Sequence, residues 1–129
     1  MKLLDTNIVS LILKGDPRVC AVLVKQPMHE LCISSVTEGE LAFGLAKRGH
    51  PAVLTRRVQE FLLRVDALPW DRPAAQAYGE LRARTQAAGT TLSPLDLMIA
   101  AHAQALGATL VTADRAFARA GVSVEDWTA

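Results

Sequence analysis

Cysteine is nearly absent from this chain: its 129 residues include only Cys20 and Cys32. They are twelve residues apart with no Cys-x-x-Cys pair, which excludes a zinc ribbon, a thioredoxin-like site and a disulfide-stapled scaffold. Both read as buried, reduced thiols among apolar neighbours. Aromatic residues make up only 5 %, and Leu, Val, Ile and Ala fill the apolar positions instead, a composition that favours helices packed on a sheet. No apolar run approaches the roughly 18 residues that a membrane span needs. The greasiest stretch, Leu95 to Val111, is interrupted by Asp96, His102 and Gln104. Asp5 likewise breaks any apolar signal-peptide core, so a soluble, unexported, cytoplasmic protein is expected.

A strong excess of either charge is also missing. The net charge is +1, which by itself does not announce nucleic-acid binding. If four of the thirteen acids were engaged at a metal site, fourteen cations would face nine remaining acids, leaving the rest of the surface at +5. Cations cluster at Lys47-Arg48, Arg56-Arg57 and Arg82/Arg84, spacings that solvated helix faces also show.

No repeat, low-complexity tract or Pro/Gly-rich linker divides the chain, so one domain over residues 1–129 is expected. Short apolar runs at Lys2–Leu4, Leu31–Ile33, Val65–Leu68 and Thr109–Val111 read as strands, with a fifth expected at Val122–Val124. Helices are expected between them. One runs from Ile8 to Lys14 and is closed by Gly15, and Asp16-Pro17 opens another to about Lys25. Ser35-x-x-Glu38 has the capping-box spacing, opening a helix to about Arg48. A helix follows Pro51, Asp71-x-Pro73 opens a long one ended by Gly89, and Ser93-Pro94 opens one closed by Gly107. A short helix is expected over Asp114–Ala120. Such alternation, with continuously apolar strands, predicts a three-layer α/β/α fold around a parallel sheet of four or five strands.

Ligands of such sheets bind beyond the carboxyl ends of the strands. Asp5 follows the first strand directly, and Asp114 stands two residues after Thr112, just past the fourth. Asp96 is the third residue from Ser93 at a helix start, and Glu40 lies in the second turn after the second strand. Each acid has a local alternative: Asp96 and Asp114 could be helix caps, and Glu40 a solvated helix residue. Asp5 is harder to explain away, because a carboxylate directly after a buried strand needs a partner. His102 continues an apolar stripe and reads as a satisfied core histidine. Four carboxylates in one place would repel unless a cation neutralised them, and oxygen-only donors favour Mg²⁺ or Mn²⁺ over zinc. A phosphatase with Asp5 as nucleophile is disfavoured, since the acid expected two residues later is Asn7.

Leu3-Leu4-Asp5-Thr6-Asn7, Thr37-x-x-Glu40-Leu41, the run Leu95-Asp96-Leu97-Met98-Ile99-Ala100-Ala101-His102-Ala103, and Leu110-Val111-Thr112-x-Asp114 resemble, in order, the motifs of PIN-domain ribonucleases. They are most similar to the VapC toxins of bacterial toxin–antitoxin pairs. The resemblance extends from residue 2 to about Trp127. It implies Asp5, Glu40, Asp96 and Asp114 as the acidic quartet holding Mg²⁺ or Mn²⁺, with Asn7 and Thr112 supporting those acids by hydrogen bonding. It further implies an endoribonuclease that acts on tRNA or rRNA and inhibits translation. A homodimer and a cognate antitoxin in a hetero-oligomer are implied too, with DNA contacted only through the antitoxin. A mainly regulatory part in a DNA-bound repressor complex is the alternative reading.

Overall fold

The computed structural model describes residues 1–129. Five strands, β1 (Lys2–Leu4), β2 (Leu31–Ser34), β3 (Asp66–Leu68), β4 (Thr109–Val111) and β5 (Val124–Glu125), form one sheet in the order β3-β2-β1-β4-β5. Every pairing is parallel: Leu3 lies opposite Cys32 on one side and Leu110 on the other. Seven α-helices cover the sheet: α1 (Thr6–Lys14), α2 (Pro17–Leu23), α3 (Ser35–Lys47), α4 (Ala52–Arg64), α5 (Arg72–Ala87), α6 (Pro94–Leu106) and α7 (Ala116–Arg119). The expected three-layer α/β/α fold is the fold observed.

Alternation along the strands divides the core in two. Leu3, Cys32 and Leu110 point to one face, where they pack with residues of α5, α6 and α7 such as Leu81, Ile99 and Phe117. Leu4, Ile33 and Val111 point to the other, against Ile8, Val19, Leu41 and Phe61 from α1–α4. Because both faces are covered, the strands are apolar throughout rather than alternating.

Several helix boundaries lie where the capping residues place them. Gly15 and Gly107 end α1 and α6 in left-handed conformation, at φ 75° and 65°. The carboxylates of Asp16 and Asp71 accept backbone N–H groups at the starts of α2 and α5. The cap of α3 is shifted by one residue from the expected capping box: Ser34, not Ser35, caps it by accepting the Val36 N–H. Ser35 is instead the first helical residue, and its Oγ accepts the Trp70 N–H from the β3–α5 turn. The second helix stops at Leu23 rather than Lys25, and a short 3₁₀ turn at Met28–Glu30 precedes β2. The last strand begins at Val124 rather than Val122, because Val122 is buried in the core beside Phe117 and Val124 is the residue opposite Leu110. Cys32 is buried as expected, whereas Cys20 is only half-buried.

Candidate active site

The strand order reverses at β1. The chain runs from β1 to β2 and β3 on one side, then returns to place β4 on the other. That reversal opens the crevice in which parallel α/β sheets bind ligands, at the carboxyl ends of β1 and β4. Asp5 stands at the end of β1, with its N–H bonded to the Val111 carbonyl at the end of β4.

Asp5 is also the N-cap of α1, its Oδ1 accepting the Ile8 N–H at 2.8 Å. Only 4 % of its surface is exposed. Burial pushes its carboxyl above the ordinary value of 3.8, and the charges of Asp96 and Asp114 push in the same direction. The Thr112 hydroxyl and the Ile8 N–H oppose that rise. The charges of two acids from widely separated parts of the chain therefore act on Asp5 across this edge.

Asp96 sits half-buried in the first turn of α6, but it does not cap that helix. Ser93 does, its Oγ accepting the Asp96 N–H at 3.2 Å. The Asp96 carboxylate is left with no hydrogen-bond partner in the protein. Asp114 is exposed and accepts the Ala116 N–H at 2.9 Å, while its own N–H is held by Thr112 Oγ1 at 3.0 Å. The hydroxyl of buried Thr112 thus bears on both Asp5 and the backbone of Asp114.

Glu40 reaches the site indirectly. Its Oε1 accepts a hydrogen bond of 2.6 Å from the Thr6 hydroxyl, next in the chain to Asp5. With its proton committed there, Thr6 Oγ1 accepts from Thr37 Oγ1 at 3.0 Å. Thr6 was not singled out from the sequence; its only local signal was its place directly after Asp5. Asn7 lies exposed in the first turn of α1, and its side chain makes no hydrogen bond within the protein. His102 is buried, as expected, with Nδ1 2.8 Å from Ser34 Oγ. Burial lowers its pKa, against the opposing charge of Asp71.

The donor chemistry of this edge fits a hard divalent cation. It offers only oxygen atoms, includes one ionisable group buried against two like charges, and leaves the Asp96 carboxylate free of protein partners. As the side chains stand, no three of them are gathered into a ready-made cage for one ion.

Residues 2–122 match the family model of the PIN domain. The chain belongs to the PIN domain family. Similarity to individual PIN-domain proteins covers nearly the whole length. The chain is 36 % identical over 127 residues to the tRNA(fMet)-specific endonuclease VapC of Shigella flexneri, covering 97 % of this chain and 96 % of that one. It is 32 % identical over 127 residues to ribonuclease VapC2 of Haemophilus influenzae, with the same coverage. Among solved structures, the DNA-bound VapBC of Salmonella typhimurium superimposes with a TM-score of 0.90 at 35 % identity, covering 98 % and 97 % of the two chains. FitAcB of Neisseria gonorrhoeae gives 0.88 at 31 %, covering 98 % of each. The resemblance to VapC proteins drawn from the four motifs is thereby borne out for this PIN-domain chain.

Proposed function

We propose that this PIN-domain protein is the toxin of a VapBC-type toxin–antitoxin pair, an endoribonuclease that hydrolyses RNA and is neutralised by a cognate antitoxin. The observation that carries the reading is the buried Asp5 carboxylate at the strand-order reversal, raised by burial and by the charges of Asp96 and Asp114. The family relationship and the ribonucleases among the relatives support it.

Asp5 and Asp96 would hold Mg²⁺ or Mn²⁺ most directly, with Asp114 and Glu40 completing the acidic set. Bound there, the ion would polarise a phosphate oxygen and lower the pKa of water. The chain's own part is to fix its carboxylates beforehand. The α1 cap and Thr112 hold Asp5, the same threonine holds the backbone of Asp114, and Thr6 holds Glu40. Thr6 occupies Glu40 Oε1 and leaves Oε2 open to take a proton from attacking water. With water as nucleophile the RNA 2′-hydroxyl is not an attacking group, so the products are a 5′-phosphate and a 3′-hydroxyl. The substrate class is tRNA or rRNA, and cleavage stops translation. The protein works in the cytoplasm as a homodimer that joins the antitoxin in a larger assembly.

The test is incubation of the purified chain with total cellular RNA and Mg²⁺, with EDTA and Asp5→Asn as controls and sequencing of new 5′ ends. Discrete cuts bearing 5′-phosphates, lost in both controls, are expected; 2′,3′-cyclic phosphate products would overturn the mechanism. A second role, in a DNA-bound repressor complex, is favoured by the VapBC relatives solved on DNA. The near-neutral net charge fits a chain that reaches DNA through its antitoxin.

A further inference from the structure

A cavity of 360 Å³ lies between the C-terminal half of α5, the turn after it and the start of α6. Tyr78, Leu92, Pro94 and Leu97 give it apolar surface; Arg82, Gln86 and Thr90 are among its polar groups, and no acid lines it. It borders the acidic edge, since Pro94 and Leu97 flank Asp96 in the first turns of α6. Arg82 Nη1 donates to the Tyr78 hydroxyl at 3.1 Å, which holds the guanidinium in place while its remaining N–H groups stay free. No carboxylate pairs with Arg82: the ion pairs of this structure are Lys2–Glu125 and Arg18–Asp16. A second cavity of 260 Å³ shares Thr85 and Thr90 with the first; it too lacks acids and contains Arg84 and Arg119.

We infer that the first cavity receives one unpaired nucleotide of the RNA, with its phosphate on Arg82 and its base among Tyr78, Gln86 and the Thr90–Leu92 turn. The inference rests on the ribonuclease reading and gives the same site a place for reading its substrate. A flat heteroaromatic base suits an apolar pocket with a few polar groups, and unpaired RNA bases are commonly read on such surfaces. An arginine free of carboxylates supplies the phosphate contact that an acidic catalytic edge cannot. The second cavity extends the cationic surface for the neighbouring phosphate.

The experiment has two parts, both on the full chain. Binding of a fluorescein-labelled single-stranded RNA of mixed sequence is followed by anisotropy in EDTA, where nothing is cut. Arg82→Gln should raise Kd about tenfold and reduce the slope of log K against log salt by about one. Thr91→Glu, which places a charge on the exposed turn, should also weaken binding. Arg82 and Thr91 are both exposed, so both variants should melt as the parent does. In the second part, the four nucleoside 5′-monophosphates are titrated into ¹⁵N-labelled protein, and the amides of Thr90, Thr91 and Leu92 should shift. Unchanged affinity and salt slope in Arg82→Gln, with those amides unmoved, would overturn the inference even if the chain cuts RNA normally. If the parent cuts no RNA while the amides shift and Arg82→Gln weakens binding, the ribonuclease reading fails and the nucleotide cleft stands.

Discussion

Replacing Asp5 with asparagine should stabilise the metal-free protein while abolishing its activity. Asparagine caps a helix as well as aspartate does, so the Ile8 N–H keeps its acceptor and α1 keeps its start. What disappears is a charge buried against Asp96 and Asp114. The folded pKa of Asp5 lies above 3.8, so the folded chain binds this proton more tightly than the unfolded one. Stability from this group is therefore greatest at low pH and is lost as pH rises through the folded value. At pH 7.5 in EDTA the parent bears the whole cost and Asp5→Asn bears none. The variant should melt higher, with the gap closing as pH falls toward 3.8. Asp5→Ala provides the scale: it also loses the cap, worth about 1 kcal/mol, and should melt roughly 3–5 °C below Asp5→Asn in a domain of this size. Mg²⁺ should reverse the order. At a hundred times its Kd, the ion stabilises the parent by about 2.7 kcal/mol, and Asp5→Asn gains far less. Thermal denaturation with and without Mg²⁺ reads all of these effects. If Asp5→Asn melts as low as Asp5→Ala in EDTA, or shifts with Mg²⁺ as far as the parent, the reasoning is refuted.

Five further outcomes are expected. Because Ser93 caps α6 by itself, Asp96→Asn should stay within about 0.5 kcal/mol of the parent in urea denaturation. RNA cleavage by that variant should fall by roughly 100-fold or more, since changing even an outer-shell partner of a metal costs about 10–100-fold. Ser34→Ala removes both the α3 cap and the partner of His102 Nδ1, and should cost about 1–3 kcal/mol. Burial lowers the pKa of His102, so parent stability should fall as pH drops below 6.5, a slope that His102→Gln should lessen. Thr6→Val should lower kcat by roughly tenfold by releasing Glu40, and should cost about 1–3 kcal/mol in stability because it also leaves the buried Thr37 hydroxyl without its partner. In thiol titration of the native protein at pH 8, half-buried Cys20 should react first. Cys32, whose thiol burial pushes up to about 11, should react only on unfolding.

The sheet could be read in the sequence because its strands are short, continuously apolar and followed by strong helix-start signals. Asp16-Pro17, Asp71-x-Pro73 and Ser93-Pro94 each open a helix in the structure. Adjacent serines defeated the same reasoning at α3. Local spacing favoured Ser35, but Ser34 is fixed as the cap in a site that also binds His102, 68 residues away, and Ser35 is taken by the Trp70 N–H, 35 residues away. Thr6 escaped notice for the same reason, since its importance lies in Glu40, 34 residues further along. Periodicity also could not show that Val122 would be drawn into the core, leaving Val124 to begin the strand.

The sheet order explains why acids so far apart in sequence meet. With β1 between β2 and β4, the ends of β1 and β4 are neighbours, which puts Asp5 beside Thr112 and within reach of the charge on Asp114. The start of α6 adds the charge of Asp96, and Thr6 ties in Glu40 from α3. Capping alone does not require Asp5 to be charged, since a neutral asparagine would satisfy Ile8 equally well. Nor does packing, since the charge is desolvated among like charges and opposes folding. A positive partner would make the carboxylate favourable at this position. A divalent ion neutralised by several oxygens is such a partner, which ties the stability cost of Asp5 to the proposed chemistry of the site.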